Sequence, residues 1–221
     1  MNENIDLVIF DCDGVLVDSE ILAMDVDRRI LAEFGWHLSA DEVLERFLGK
    51  SSSSFATQLE EHLGYSIPTD WETKYTPWFY EVFESSLQSV AGIEKALDSI
   101  TSQTCVASSG THERIQKTLG LTNLLPRFEG RIFSATEVKN GKPAPDIFLH
   151  AASRMGVEPE RCVVIEDSKY GAQAARDAGM HAFGYAGGLT PADWLHAEGA
   201  TVFTSMDDLP ELLRSYTPRQ F

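Results

Sequence analysis

The chain has 221 residues, 43% hydrophobic and 24% charged, enough to bury one large core or one core and a smaller module. A formal charge of −16 argues against a nucleic-acid or anionic-membrane surface, yet leaves room for a small phosphorylated ligand held by local positive charge or a metal. No apolar run has the length of a membrane span, the start MNENIDLVIFD lacks a basic signal-peptide opening, and three cysteines supply no disulfide framework, so a reducing, cytoplasmic setting is expected.

The first apolar run, DLVIFD, is short, partly β-branched and bounded by Asp, which predicts a buried strand. It runs straight into Asp11-Cys12-Asp13-Gly14. Two carboxylates so close repel each other unless a cation lies between them or one keeps a proton. Such an arrangement is costly in a structural loop and useful in an active site. Cys12, between the acids, is disfavoured as a thiolate, and Cys105 and Cys162 lie in strand-like runs as small hydrophobes.

From about residue 17 to 85 every apolar period is helical. Leu22, Val26, Ile30 and Phe34 repeat every fourth position, Val43, Leu44, Phe47 and Leu48 cluster, and Phe55, Leu59 and Leu63 follow. A last stripe of Trp71, Tyr75, Trp78, Phe79, Val82 and Phe83 reads as core. The serines at 51–54 suit a helix cap. This pattern predicts an all-helical module over 17–85, inserted into a main core made of 1–16 and 86–221. Beyond it, QTCVASSG, GRIFSA, RCVVIED, MHAFGYAG and ATVFTS are strand-like, with helical patterns such as HERIQKTLGL and PDIFLHAASRMG between most of them. Alternating strands and helices predict a doubly wound, Rossmann-like parallel α/β sheet covered on both faces.

Ligands of open α/β sheets bind beyond the carboxyl ends of the strands. The strand ends therefore supply the candidates: Asp11 and Asp13, then Ser108 and Ser109, then Glu166 and Asp167, with Lys142 in a loop before the PDIFLHAA helix. That inventory suits phosphoryl transfer. A carboxylate attacks a phosphate anion poorly because like charges repel, and a hard divalent cation on oxygen ligands removes that repulsion. Lys142 adds positive charge, Ser108 and neighbouring backbone N–H groups can hold phosphoryl oxygens, and Asp13 can move a proton. Thr111, His112 and Glu113, just past Ser108, read as surface helix residues.

The stretches DCDGVLVDSE, VASSG, GKPAPD and VVIEDS together resemble the four ordered motifs of the haloacid dehalogenase-like superfamily, in its phosphatase and β-phosphoglucomutase branch with a helical cap. The resemblance implies Asp11 as nucleophile, Asp13 as general acid/base, Ser108 and Ser109 as phosphate-binding residues and Lys142 as the neutralising charge. It implies Mg²⁺ held by Asp11, Asp13 through its backbone carbonyl, Glu166 and Asp167. Relatives acting on carbon–halogen or carbon–phosphorus bonds differ at the position of Asp13, which points to a phosphate ester. The β-phosphoglucomutases carry a cap histidine, lysine and arginine where Ala23, Leu48 and Ser52 stand here. Lys50 and the serines at 51–54 remain as cap contacts to substrate. The expected function is hydrolysis of a small sugar or sugar-acid phosphate, with no nucleic-acid or membrane partner. The alternatives are a sugar-phosphate mutase and a non-catalytic Mg²⁺ or phosphate binder.

Overall fold

A computed structural model of the chain describes residues 5–50 and 52–217. The expected serine cap at residue 51 therefore falls outside the described residues. Strand β1 (Leu7–Phe10) is buried at all four positions, as a strand covered on both faces must be. Helices α1 (Glu20–Glu33), α2 (Ala40–Phe47), α3 (Ser52–Leu63) and α4 (Trp71–Ser86) follow without an intervening strand. After α5 (Ile93–Ser99) the chain alternates: β2 (Gln103–Ser108), α6 (His112–Leu121), β3 (Ile132–Ser134), α7 (Asp146–Met155), β4 (Cys162–Glu166) and α8 (Lys169–Asp177). It ends through β5 (His181–Tyr185), α9 (Ala192–Ala197), β6 (Thr201–Phe203) and α10 (Leu209–Ser215).

The six strands are parallel, in the order β3-β2-β1-β4-β5-β6. Strand order reverses between β1 and β4, and a crevice opens there beyond the carboxyl ends. Phe10 pairs in register with Val106 on one side and Ile165 on the other, so Asp11, Ser108 and Glu166 emerge together at one edge. Val8 and Phe10 face one core cluster with α5, α6 and α10, while Leu7 and Ile9 face the other with α7 and α8. That two-sided burial is why the first run is continuously apolar.

The inserted helices have a core of their own, built from Val26, Ile30, Val43, Phe47, Phe55, Leu59 and Tyr75 among others. The aromatic stripe of α4 is core, as its period implied, but it is divided. Trp71, Tyr75 and Trp78 pack among the inserted helices, Phe83 belongs to the main core, and Phe79 packs against both. The chain crosses between the two regions on paired segments: Asp18 N donates to Gln88 O at 2.9 Å and Val90 N to Leu16 O at 3.0 Å. All three cysteines are buried and free, and burial pushes each thiol up, that of Cys162 to about 12. Among the described residues no helix is long and apolar enough to cross a membrane.

Candidate active site

Asp11 is the first residue beyond β1, and its N–H donates to Ile165 O at 3.0 Å, continuing the sheet. Lys142 arrives from the loop before α7 and donates to Asp11 Oδ1 at 2.8 Å and to Glu166 Oε1 at 2.6 Å. The lysine side chain is only 5% exposed and that of Glu166 only 1%. Burial opposes the charge on Lys142, but Asp11 and Glu166 outweigh it and hold the ammonium above the usual lysine range. The second oxygen of Glu166 accepts from Ser168 N at 2.6 Å. Ser168 in turn caps α8 by accepting from Gly171 N at 3.0 Å. A Cβ on Gly171 would sit 1.7 Å from Glu166 Oε1, so the small-residue face of α8 is what lets this carboxylate lie beneath the helix.

Asp167 completes an acidic cluster. One oxygen from each of Asp11, Glu166 and Asp167 falls within 4.8 Å of the others, and all three residues are buried. Asp167 Oδ2 is buried with no hydrogen-bond partner. Burial pushes the Asp167 carboxyl well up, and Glu20, Glu166 and Asp11 push the same way. Burial also raises Asp11 to about 7 against the pull of Lys142. One ammonium does not balance three buried carboxylates, and an all-oxygen donor set with an orphaned oxygen fits a hard divalent cation such as Mg²⁺. Gly14 turns beside this cluster at φ +76°, and a Cβ there would meet Asp167 Oδ2 at 2.2 Å. Only glycine serves both the turn and the close approach.

This charge balance carries a pH signature. A carboxyl raised in the folded state holds its proton where the unfolded chain has lost it, so stability falls as pH rises from about 4 toward the folded value. Protein stripped of divalent ions is expected to lose thermal stability from about pH 5 to about pH 8, and the midpoint gain on adding Mg²⁺ to grow over the same interval. Thermal melts with Mg²⁺ and with chelator check this, and a gain that is independent of pH would contradict it.

Asp13 is held differently. Ser19 Oγ donates to its Oδ1 at 2.5 Å, and Arg114 Nη2 lies 3.4 Å from the same oxygen. One strand over, Ser108 is 1% exposed at the end of β2, its Oγ accepting from Gly110 N at 3.1 Å. Ser134 Oγ, from the end of β3, donates to Gly110 O at 2.6 Å and steadies the turn. Ser109 beside it is exposed.

All eight residues proposed from the sequence line one cavity of about 460 Å³ between the sheet edge and the inserted helices: Asp11, Asp13, Ser108, Ser109, Lys142, Glu166, Asp167 and Lys50. Ala23, Leu48 and Ser52 line it too. Gly49, at φ +69°, touches the core directly, since a Cβ there would lie 2.8 Å from Ser168 Cβ. Thr111 and Glu113 line the cavity wall as well, whereas His112 turns aside to Glu137 at 2.8 Å. Sequence reasoning missed Glu20, Asp27 and Arg114, which also border the cavity. A signal existed for the first two: Glu20, Ala23, Met24 and Asp27 share one face of α1 at helical spacing, beside the apolar stripe that was read. Nothing local distinguishes Arg114 from a solvated helix cation.

The family model for haloacid dehalogenase-like hydrolases matches residues 5–179. A 6-phosphogluconate phosphatase of Escherichia coli (strain K12) is 34% identical over 212 residues, covering 96% of this chain and 96% of the relative. A phosphorylated carbohydrates phosphatase of Thermotoga maritima is 30% identical over 212 residues, covering 94% of this chain and 97% of its own length. The crystal structure of a haloacid dehalogenase-like protein from Agrobacterium tumefaciens str. C58 matches with a TM-score of 0.82 and 38% identity, over 95% of this chain and 97% of that one. The acids, lysine and serine at the sheet edge thus sit on a fold and sequence matched nearly end to end, and this chain belongs to the haloacid dehalogenase-like hydrolase family.

Proposed function

We propose that this protein is a Mg²⁺-dependent phosphatase that hydrolyses a small sugar or sugar-acid phosphate through an aspartyl phosphate on Asp11. The observation that carries this reading is the buried Lys142 ammonium bridging Asp11 and Glu166 beside Asp167. In the first step an Asp11 oxygen bonds to phosphorus as the ester P–O bond breaks. Asp13 gives its proton to the departing oxygen. Ser108 Oγ and the Ser109 N–H donate to the phosphoryl oxygens, and Lys142 offsets their charge. In the second step Asp13 takes a proton from a water that attacks phosphorus, and the Asp11 carboxylate is released. A divalent cation held by Asp11, Glu166, Asp167 and the Asp13 backbone carbonyl would supply charge neutralisation for both steps.

The uncharged Ala23, Leu48 and Ser52 favour water over a second phosphorylated sugar as acceptor, because a mutase must clamp two phosphates. Residues 17–85 act as a cap on a core of 1–16 and 86–221, hinged near 17–19 and 85–90, closing to exclude bulk water. Lys50, half-buried at the cavity, contacts the substrate from the cap side. Gly49→Val is expected to hold the cap off Ser168 and lower kcat/KM about tenfold or more, on the scale of 1–3 kcal/mol of strain. Steady-state kinetics check it; unchanged kcat/KM would remove Gly49 from the closing contact.

The reading is tested by phosphate release from sugar, polyol, aldonate and nucleotide monophosphates with Mg²⁺, beside chelated protein and Asp11→Asn. Release from a small group of esters, abolished by both controls, is expected. Isomerisation that depends on a bisphosphate, without net phosphate release, would instead identify a mutase. Cation binding with neither reaction would identify a non-catalytic binder.

A further inference from the structure

Arg114, third residue of α6, leaves the core and enters the space under the cap helices. Its Nη2 lies 3.4 Å from Asp13 Oδ1, and its Cζ stands 5.7 Å and 5.5 Å from the ring centroids of Phe79 and Phe83. Its Nε is buried and has no hydrogen-bond partner. Across the same cavity, α1 presents Asp27, whose charge interacts with Arg114 from the cap side. Burial pushes the Asp27 carboxyl up to about 7 against the pull of Arg114, and no hydrogen bond among the described residues lowers it. A buried guanidinium N–H without a partner is costly unless a ligand satisfies it, and the half-buried Asp27 carboxyl, lining the same cavity, is free to share that ligand.

One common group serves both. A hydroxyl donates to a carboxylate and accepts from a guanidinium at the same time. An anionic group here would face Asp27, Glu20 and Glu113, and an apolar group would leave both charges unsatisfied. Arg114 also borders Asp13, so the hydroxyl it meets is the one next to the oxygen that Asp13 protonates.

We propose that Arg114 and Asp27 form a leaving-group subsite that binds a hydroxyl adjacent to the phosphorylated carbon, making the preferred substrates phosphate esters of polyhydroxylated carbon chains. This rests on the phosphatase reading and narrows it. Phenyl phosphate, which carries no hydroxyl, reacts through the catalytic residues without using the subsite.

The test compares kcat/KM for sorbitol 6-phosphate with that for phenyl phosphate, in the full-length protein with Mg²⁺ and in Asp27→Ala and Asp27→Asn, which leave the Arg114–Asp13 contact in place. The native ratio is expected to favour the polyol ester. Each variant is expected to lower the ratio about tenfold or more, mainly through KM for the polyol ester, as loss of a hydrogen bond to a charged group implies. A ratio unmoved by the variants overturns the subsite, whether both rates fall together or neither changes. So does a native enzyme that prefers phenyl phosphate. If neither ester yields phosphate that depends on Asp11, the phosphatase reading fails first, and the subsite with it.

Discussion

Asp11→Asn is expected to lower phosphate release by about 10⁴-fold or more, the scale on which loss of a nucleophile is felt, while leaving the protein folded. The amide keeps the shape of the carboxylate and can still accept from Lys142, but it does not form the aspartyl phosphate. It also removes one charge from a crowded acidic cluster, in which burial already raises Asp11 to about 7. The chelated variant should therefore melt higher than chelated native protein at about pH 8, where the native Asp11 is forced to carry charge. Phosphate release and thermal melts read the two effects separately. Lost activity with a lowered midpoint would indicate a structural role instead.

Lys142→Met is expected to damage both properties. It leaves Asp11 and Glu166 buried and facing each other without the ammonium that bridges them at 2.8 Å and 2.6 Å. Breaking a buried pair by deleting one partner costs about 3–5 kcal/mol, most of it from the charge left behind. Activity should fall by about 10²-fold or more, as when a donor to developing phosphoryl charge is removed. Lys142→Arg is not expected to restore either, because a planar guanidinium does not fit a space that leaves the lysine side chain 5% exposed. Denaturant unfolding at about pH 8 checks the stability, and a loss below about 1 kcal/mol would contradict the bridging role.

The sheet-edge residues were legible because each is contiguous with a strand that announces itself. A continuous apolar run ending on Asp11, another on Ser108 and a third on Glu166 needed only the parallel order to be brought together. The cavity's other wall was harder to read. Asp27 lies on a face of α1 between stripes, and the buried residues Val26 and Ile30 beside it masked the signal. Thr111 and Glu113 are exposed, as the solvated start of a strand-following helix implies, and they also border the cavity. Arg114 depends on how α6 meets α4, a contact between helices far apart in sequence, and no local pattern encodes it. The division of the α4 aromatics has the same origin: the period gives the buried face but not which of two cores receives each ring.

The most direct test of the covalent route is the stereochemical course at phosphorus, followed with an isotopically chiral thiophosphate ester hydrolysed in labelled water. Transfer to Asp11 and then to water is two in-line displacements, each inverting the centre. Net retention is the predicted result. Net inversion would mean a single direct attack by water, and Asp11 would lose its role as nucleophile.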